Sequence, residues 1–403
     1  MGCNAVETGC TAAPDDAPQQ ELPLDGVTAL DFSQFLAGPS AALRLADLGA
    51  RVIKIERPGS GDGCRALTLA DQRLDDDSIL FHTINRNKES YAVDLKDAAA
   101  RPRLEALIGR ADILIHNFRP GVMERLGLGF EAVQRHNPGL IYAGVSGYGE
   151  DGPWRALPGQ DLLVQAVSGI TWLSGDASGP PVPVGLAITD MMAGAHLVQG
   201  ILALLVRRGR TGRGGRVDVS LLETAVDLQF EQLSAYLNGD GDAPRRSAVS
   251  NGNIYLGAPY GLYATADGHL AIAMAPVDRV GELIGCRPLC EFPPESWFVE
   301  RDGIKSLLAR HLLTGSTQHW LDKLQPADIW CAPVLDWPAL FGSGALDTLD
   351  PVQTVRTSSG ATLRTTRCPV RIDGRVLTSA RAAPGLGADT ATIDSEATPG
   401  SAA

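Results

Sequence analysis

The stretch VTALDFSQFLAGPSAALRLADLGARVIKIE, residues 27–56, decides the fold. Val27–Phe32 is a short apolar run fit for a buried strand. Pro39–Leu48 carries apolar residues at helical spacing and closes on Gly49, a signal for a helix C-terminus. Arg51–Glu56 is a second apolar run, ended by Pro58-Gly59. Strand, helix and strand within about 30 residues make the βαβ unit of a parallel sheet.

Outward from this unit the alternation continues. Tyr91–Leu95 reads as a strand, Ala98–Gly109 as a helix and Asp112–His116 as a strand. Two short helices follow around Glu124 and Ala132, then a strand over Leu140–Val145. Residues 27–146 therefore read as a doubly wound α/β domain with ligand loops at the strand C-termini. Asp161–Trp172 and Met191–Arg208 read as helices. RRGRTGRGGR (207–216) holds five arginines but no interleaved aromatics, so it reads as a Gly-rich connection to the strand Val217–Val219. Residues 238–252 turn loop-like. Tyr263–Ala273 is a hairpin with Asp267-Gly268 as its turn. Helical pieces at 278–285 and 303–325 complete a separate, smaller α+β domain over 241–330. Residues 331–390 hold a short strand near Ala361–Arg367. Polar, Pro- and Ala-rich residues 1–21 and the small-residue stretch 391–403 are expected to be disordered tails.

The 403 residues leave room for two or three domains, and 44% hydrophobic against 20% charged residues supplies a packed core. Lys+Arg is 35 against Asp+Glu 47, a net charge of -12, which argues against a general binder of nucleic acid or anionic membrane. A local cationic pocket for one phosphorylated ligand remains compatible with it. No run of about 18 apolar residues marks a membrane span. The seven cysteines are odd in number, scattered and without a CxxC pair, so neither zinc nor a disulfide framework is expected. A reducing cytoplasm is the simplest compartment.

GxGxxG in a usable context, GxSxG, HExxH and the P-loop are all missing, which removes dinucleotide, serine-hydrolase, zinc-protease and ATPase readings. What remains is a set of loops after expected strands: Ser33–Pro39, Glu56–Asp62, His116–Gly121 and Ser146–Pro153. Arg57, Arg119 and Arg125 sit where they converge on one sheet edge, suited to a ligand with several phosphates. The plainer reading pairs these arginines with surface acids. Asp161 starts an apolar helix, and its default role is to cap that helix. Asp190 has the same default reading, with Thr189 as competitor. A carboxylate at the start of an apolar helix is also partly desolvated, a setting for a nucleophile.

These segments together resemble the class III CoA-transferases, the family of formyl-CoA and carnitine CoA-transferases and the related α-methylacyl-CoA racemases. The resemblance runs through PLDGVTALDFSQFLAGP (23–39), LADLGARVIKIERPGSGD (45–62), NRNKESYAVDLK (85–96), ADILIHNFRPGVMERLG (111–127) and NPGLIYAGVSGYGEDGP (137–153). It continues through GQDLLVQAVSG (159–169), GLAITDMMAGAHLVQGILALL (185–205), GRGGRVDVSLLE (212–223) and APYGLYATADGHLAIA (258–273). Cys331–Val334 resembles the family's return to its large domain. The resemblance covers about 22–390.

It implies a Rossmann-like large domain with a parallel sheet, built from 22–240 and 331–390, and a smaller α+β domain from 241–330. It further implies an interlocked homodimer. The implied substrates are an acyl-CoA and a small carboxylic acid, with no permanently bound cofactor and no metal. Its catalytic aspartate falls on Asp190. Its CoA contacts fall on Leu36 and Ala37, Arg57, Val93 to Lys96, Asn117, Phe118 and Arg119, Arg125, and Pro158 to Asp161, Gln160 included. The racemases carry a histidine in a Gly-His-Asp triplet that stands here as Gly159-Gln160-Asp161. Glutamine cannot move a proton as general acid or base at neutral pH, so a racemase is the lesser expectation. A formyl-CoA lid loop is not recognisable in 238–262, so a formyl/oxalate pair is not expected. Tyr255, Tyr260, Tyr263 and His269 either line an acyl pocket or pack the small domain.

Overall fold

The computed structural model describes residues 21–239, 241, 245–379 and 381–397. The expected N-terminal tail lies outside these residues, apart from Glu21. Six strands form the main sheet: β1 (Thr28–Asp31), β2 (Arg51–Glu56), β3 (Lys88–Ala92), β4 (Ile113–His116), β5 (Ile141–Ser146) and β6 (Gly215–Ser220). All pair in parallel, in the order β3-β2-β1-β4-β5-β6. This is the strand order of doubly wound α/β sheets, whose ligand crevice opens where the order reverses, between β1 and β4.

The helices are α1 (Ala37–Asp47), α2 (Ile79–Asn85), α3 (Arg101–Arg110), α4 (Val122–Arg125), α5 (Phe130–His136), α6 (Asp161–Val167), α7 (Ile170–Leu173) and α8 (Ile188–Thr211). Then come α9 (Leu221–Asp227), α10 (Phe230–Leu237), α11 (Val277–Ile284), α12 (Arg301–Leu312), α13 (Thr317–Leu324), α14 (Trp337–Gly342) and α15 (Thr390–Ala397). Alternate strand residues feed two cores. Ala29, Val52, Ile113 and Ile141 face α1 and α8, while Leu30, Ile53, Leu114 and Tyr142 face α3 and α5. By length and composition α8 could cross a membrane, but it packs along α1 and the sheet with Ala193, Leu197 and Ile201 fully buried.

Several expectations need correction. The third strand is Lys88–Ala92, not Tyr91–Leu95. Lys88 and Ser90 are buried polar residues with partners, so the apolar pattern that marks a strand begins too late. The expected helix 161–172 breaks at Gly169, whose φ of 90° is left-handed. The expected helix 303–325 is two, because Ser316 caps a new start by accepting from His319 N–H. The first half of RRGRTGRGGR is helix: α8 runs to Thr211 and ends on Gly212 at φ 69°.

The small domain is a three-stranded antiparallel sheet, β7 (Gly261–Ala264), β8 (His269–Ile272) and β9 (Cys331–Pro333), covered by α11 to α13. Cys331–Pro333 therefore completes the small domain rather than opening the return segment, which starts after it. The return contains the hairpin β10 (Val352–Arg356) and β11 (Thr362–Thr366). The expected tail 391–403 is helix up to Ala397, and Ile393 is buried between α3 and β3. Ahead of that helix, Ser90 N–H donates to the Asp389 carboxylate at 2.8 Å and Ala92 N–H to Thr390 Oγ1 at 2.9 Å. The exposed edge of β3 is thereby covered.

Candidate active site

At the crevice between β1 and β4, two loops are tied together. Gln34 N–H donates to Asn117 Oδ1 at 2.8 Å, and Asn117 Nδ2 returns a bond to Gln34 C=O at 2.6 Å. Phe35 sits in the left-handed region at φ 64°, held by its N–H donating to Asp62 Oδ1 at 3.1 Å. A non-glycine residue held there stores strain that the surroundings must enforce. The enforcement is a buried charge network. Lys54 Nζ donates to Ser33 C=O at 2.9 Å and pairs with Asp62 at 2.8 Å. Lys88 Nζ donates to Asp31, Pro39 C=O and Asn85, each at 2.9 Å. Glu56 takes a two-pronged bond from Arg65. Burial pulls the Lys88 ammonium down to about 8, and the charges of Asp31, Asp62 and Glu56 hold Lys54 above its ordinary value despite burial.

Beside these loops a cleft of about 260 Å³ is lined by Phe32, Gln34, Glu56, Arg57, Val93 to Lys96 and Phe118, among others, with Glu56 already paired to Arg65. Residues singled out in the sequence, Arg57, Val93 to Lys96 and Phe118, therefore meet in one place. Arg119 and Arg125 are exposed just beyond Phe118. Among the described residues Arg57, Arg119 and Arg125 form no ion pair, so the surface-acid reading of these arginines does not hold. Leu36 and Ala37 open α1, with Ala37 buried. Asn117 spends its amide on Gln34. A larger groove of about 720 Å³ lies between Gly59–Asp77 and Thr357–Ser359. Its Arg65 is already neutralised by Glu56 and Asp77, which leaves less for an anionic ligand there.

Asp190 stands in the first turn of α8. Gly194, one turn on, is pressed against α1: a Cβ there would meet Ala37 C=O at 2.8 Å and clash with Ser40 Oγ. Glycine thus lets α8 approach the start of α1, bringing Asp190 to the same edge as the Ser33–Ala37 loop. Neither Asp190 nor Thr189 is the N-cap of α8. That position is Ala187, whose side chain has nothing to offer. The exposed N–H groups are met by Asp161 of α6 instead. Its Oδ1 accepts from Thr189 N–H at 2.8 Å, Thr189 Oγ1 at 2.6 Å and Asp190 N–H at 3.2 Å. Asp161 therefore caps a neighbouring helix, not its own. Gln160, beside it, is exposed and makes no capping bond. The chain can pass there because Gly159 crosses Gly147 so closely that a Cβ on Gly147 would lie 2.5 Å from Gly159 Cα.

Burial, and then the negative charge of Asp161, raise the Asp190 carboxyl to about 7. Among the described residues no cation offsets either effect. His116, the histidine at this sheet edge, is buried among Phe118 and Tyr142 and lowered to about 4. It stays neutral near pH 7. The arrangement is a half-buried, basic carboxylate on α8, near a strained loop and a cleft that holds Arg57 and Lys96.

The sequence model of CoA-transferase family III matches residues 24–390. The chain belongs to this family. It is an enzyme, a CoA-transferase, and its substrates are CoA thioesters. Among similar proteins is the acetyl-CoA:oxalate CoA-transferase of Acetobacter aceti, 35% identical over 322 residues, 78% of this chain and 81% of that one. Another is the succinyl-CoA:glutarate CoA-transferase of Mus musculus, 37% identical over 262 residues, 65% of this chain and 59% of that one. The fold agrees with the orthorhombic crystal form of Rv3272 from Mycobacterium tuberculosis, at a TM-score of 0.78 and 31% identity over 92% of this chain and 99% of that one.

Sequence reasoning singled out the arginines and Asp190 but missed two features of this region. One is the charge network of Asp31, Lys54, Glu56 and Lys88. For Asp31, Lys54 and Glu56 a signal was present, as charges set within otherwise apolar runs, whereas Lys88 stands in a polar stretch that gave none. The other is the use of Asp161 on α8, for which no local signal exists. Of the small-domain residues, Tyr263 is core, donating to Pro259 C=O at 2.6 Å, and His269 is exposed. Tyr260 lines an apolar cleft of about 480 Å³ with Met274, Trp297 and Phe298.

Proposed function

We propose that the chain moves CoA from an acyl-CoA to a small carboxylic acid through an aspartyl-CoA thioester on Asp190. The observation that carries this is a half-buried carboxylate, raised to about 7, with no cation beside it among the described residues. Such a carboxylate is more basic, and so more nucleophilic, than an ordinary one. Its oxygen attacks the thioester carbonyl, the C–S bond breaks, and CoA thiolate leaves a mixed anhydride. The thiolate attacks the aspartyl carbonyl, expels the donor acid and forms the aspartyl-CoA thioester. The acceptor carboxylate then attacks that thioester and again releases thiolate, which takes the acyl group of the second anhydride. CoA is carried over and the Asp190 carboxylate is regenerated. Each intermediate keeps the energy of the thioester, so water has to be excluded.

Arg57 and Lys96 face the cleft from two loops, which supports phosphate binding there, with Arg119 and Arg125 at its rim. Arg57→Ala is expected to weaken CoA binding about tenfold, read by calorimetry, with kcat at saturating acyl-CoA changed far less. Equal affinity of parent and variant would remove Arg57 from the site. A racemase would need a second acid-base group to face Asp190, and Gln160 does not supply one. A homodimer, interlocked as the resemblance implies, is supported by exposed apolar side chains on 330–341, among them Trp330, Trp337 and Phe341. The five described cysteines are free, which supports a reducing, cytoplasmic setting.

The deciding experiment is mass spectrometry of the protein mixed with a panel of acyl-CoAs, looking for a CoA adduct on Asp190. Acceptors would start from oxalate and glutarate, for which relatives are named. An adduct at another residue, or none with any donor, would overturn the mechanism. Because the carboxyl is raised to about 7, it is charged above that pH and increasingly protonated below it. Adduct formation is therefore expected to rise with pH through about 7 and to fall about tenfold for each unit below. A rate flat from pH 5.5 to 8.5 would contradict it.

A further inference from the structure

We propose that Asp161 is a positioning residue for the reaction: from α6 its carboxylate fixes the backbone turn that carries Asp190 and sets a negative charge beside the nucleophile. The proposal rests on Asp190 being that nucleophile.

The geometry is specific. Three donors of α8, Thr189 N–H, Thr189 Oγ1 and Asp190 N–H, converge on one oxygen of Asp161. The other oxygen accepts from Gln165 Nε2 at 2.6 Å. Gln165 in turn donates to Leu186 C=O at 3.0 Å and accepts from Val184 N–H at 2.9 Å. Asp161 and Gln165 thus hold the chain from Val184 to Asp190 at both ends. Asp161 is 5% exposed and Thr189 is fully buried, so these bonds do not compete with solvent. A helix without a side-chain cap of its own frays at its first turn. Here that turn bears the attacking group, which has to hold its place to within a fraction of an ångström.

The charge has a separate consequence. With both carboxylate oxygens spent on protein donors, Asp161 is poorly placed to contact CoA, although the family resemblance puts a CoA contact at this position. Its charge acts on Asp190, where it adds to burial in disfavouring ionisation. No other charged group of the packed elements offsets it. The side of α1 against this turn offers Ala37 C=O and Ser40 Oγ, and β5 offers apolar Ile141 and Val145. On β6 and α9, Asp218, Glu223 and Asp227 gather around His196, six residues farther along α8. A more basic carboxylate attacks a thioester better, so Asp161 exchanges ionised fraction for nucleophilicity.

The test is the pH profile of single-turnover adduct formation on Asp190, with donor acyl-CoA, in the full-length protein. Asp161→Asn keeps an acceptor for α8 but removes the charge. Its midpoint is expected to drop by about one pH unit or more while CoA affinity stays within about threefold of the parent. Thr189→Val keeps the charge and removes one bond. Its midpoint should stay, its plateau rate should fall several-fold, and amide exchange at residues 189 and 190 should quicken. An unmoved midpoint in Asp161→Asn overturns the proposal, as does lost CoA affinity as its main effect. If Asp161→Asn does not fold, a parent-like plateau and parent-like exchange in Thr189→Val overturn it. Absence of any adduct in the parent protein would instead overturn the assignment of Asp190.

Discussion

Asp190→Ala is expected to abolish CoA transfer, by about 10⁴-fold or more, while leaving CoA bound. The reason is geometric. The proposed nucleophile stands on α8, whereas the residues of the cleft come from the ends of β1, β2, β3 and β4 and the loops after them. Removing one carboxylate there leaves Arg57, Lys96 and Phe118 where they are. It also removes a partly desolvated charge that, among the described residues, is acted on by Asp161, another negative charge. The variant should therefore fold at least as well as the parent at pH 8, where the parent carries that charge. Steady-state transfer, CoA calorimetry and thermal unfolding, measured on the same preparation, check the three parts. Transfer within tenfold of the parent would show that Asp190 is not the nucleophile. Lost CoA binding with intact folding would show that α8 belongs to the cleft.

Lys54→Met is expected to destabilise the large domain by about 3–5 kcal/mol, the usual result of removing one partner from a buried ion pair. The melting temperature should fall by roughly 10 °C. Lys54 is fully buried, 2.8 Å from Asp62 and 3.8 Å from Asp31. Methionine matches its volume, so the loss comes from charge and not from a cavity. Without Lys54, Asp62 is left buried facing Glu56, and Ser33 C=O loses its donor. Phe35, held at φ 64° through Asp62, is then free to relax, and CoA affinity should fall with it. A melting temperature within about 2 °C of the parent would mean that the network repacks around the change. Unaltered CoA affinity in a destabilised variant would mean that the strained loop is not part of the binding site.

Both effects bear on how far a sequence can be read. The βαβ unit at 27–56 was legible because its apolar residues follow periods of 2 and 3.6, which are local properties of the chain. The arginines were legible because they follow strands, and a parallel sheet places successive loops at one edge. Lys88 hid the strand it belongs to. A charged residue reads as solvent-facing until its partner is known, and that partner, Asp31, is 57 residues away. The final helix hid for the opposite reason. Thr390–Ala397 is small and polar, and it is ordered because Ile393, Asp389 and Thr390 find the edge of β3.

The sequence by itself determined the doubly wound sheet, the CoA-transferase family and the likeness of Asp190 to that family's nucleophile. Each of these is carried by periodicity or by residues close along the chain. Only the tertiary structure decided what surrounds Asp190. Burial and an unopposed neighbouring charge set the basicity of a carboxylate, and neither is a property of adjacent residues. Asp161 lies 29 positions from Asp190 and reads in sequence as the cap of its own helix. It became the cap of α8 because α6 packs beside it, and because the N-cap of α8 is Ala187, which leaves the first N–H groups to find an acceptor elsewhere in the fold.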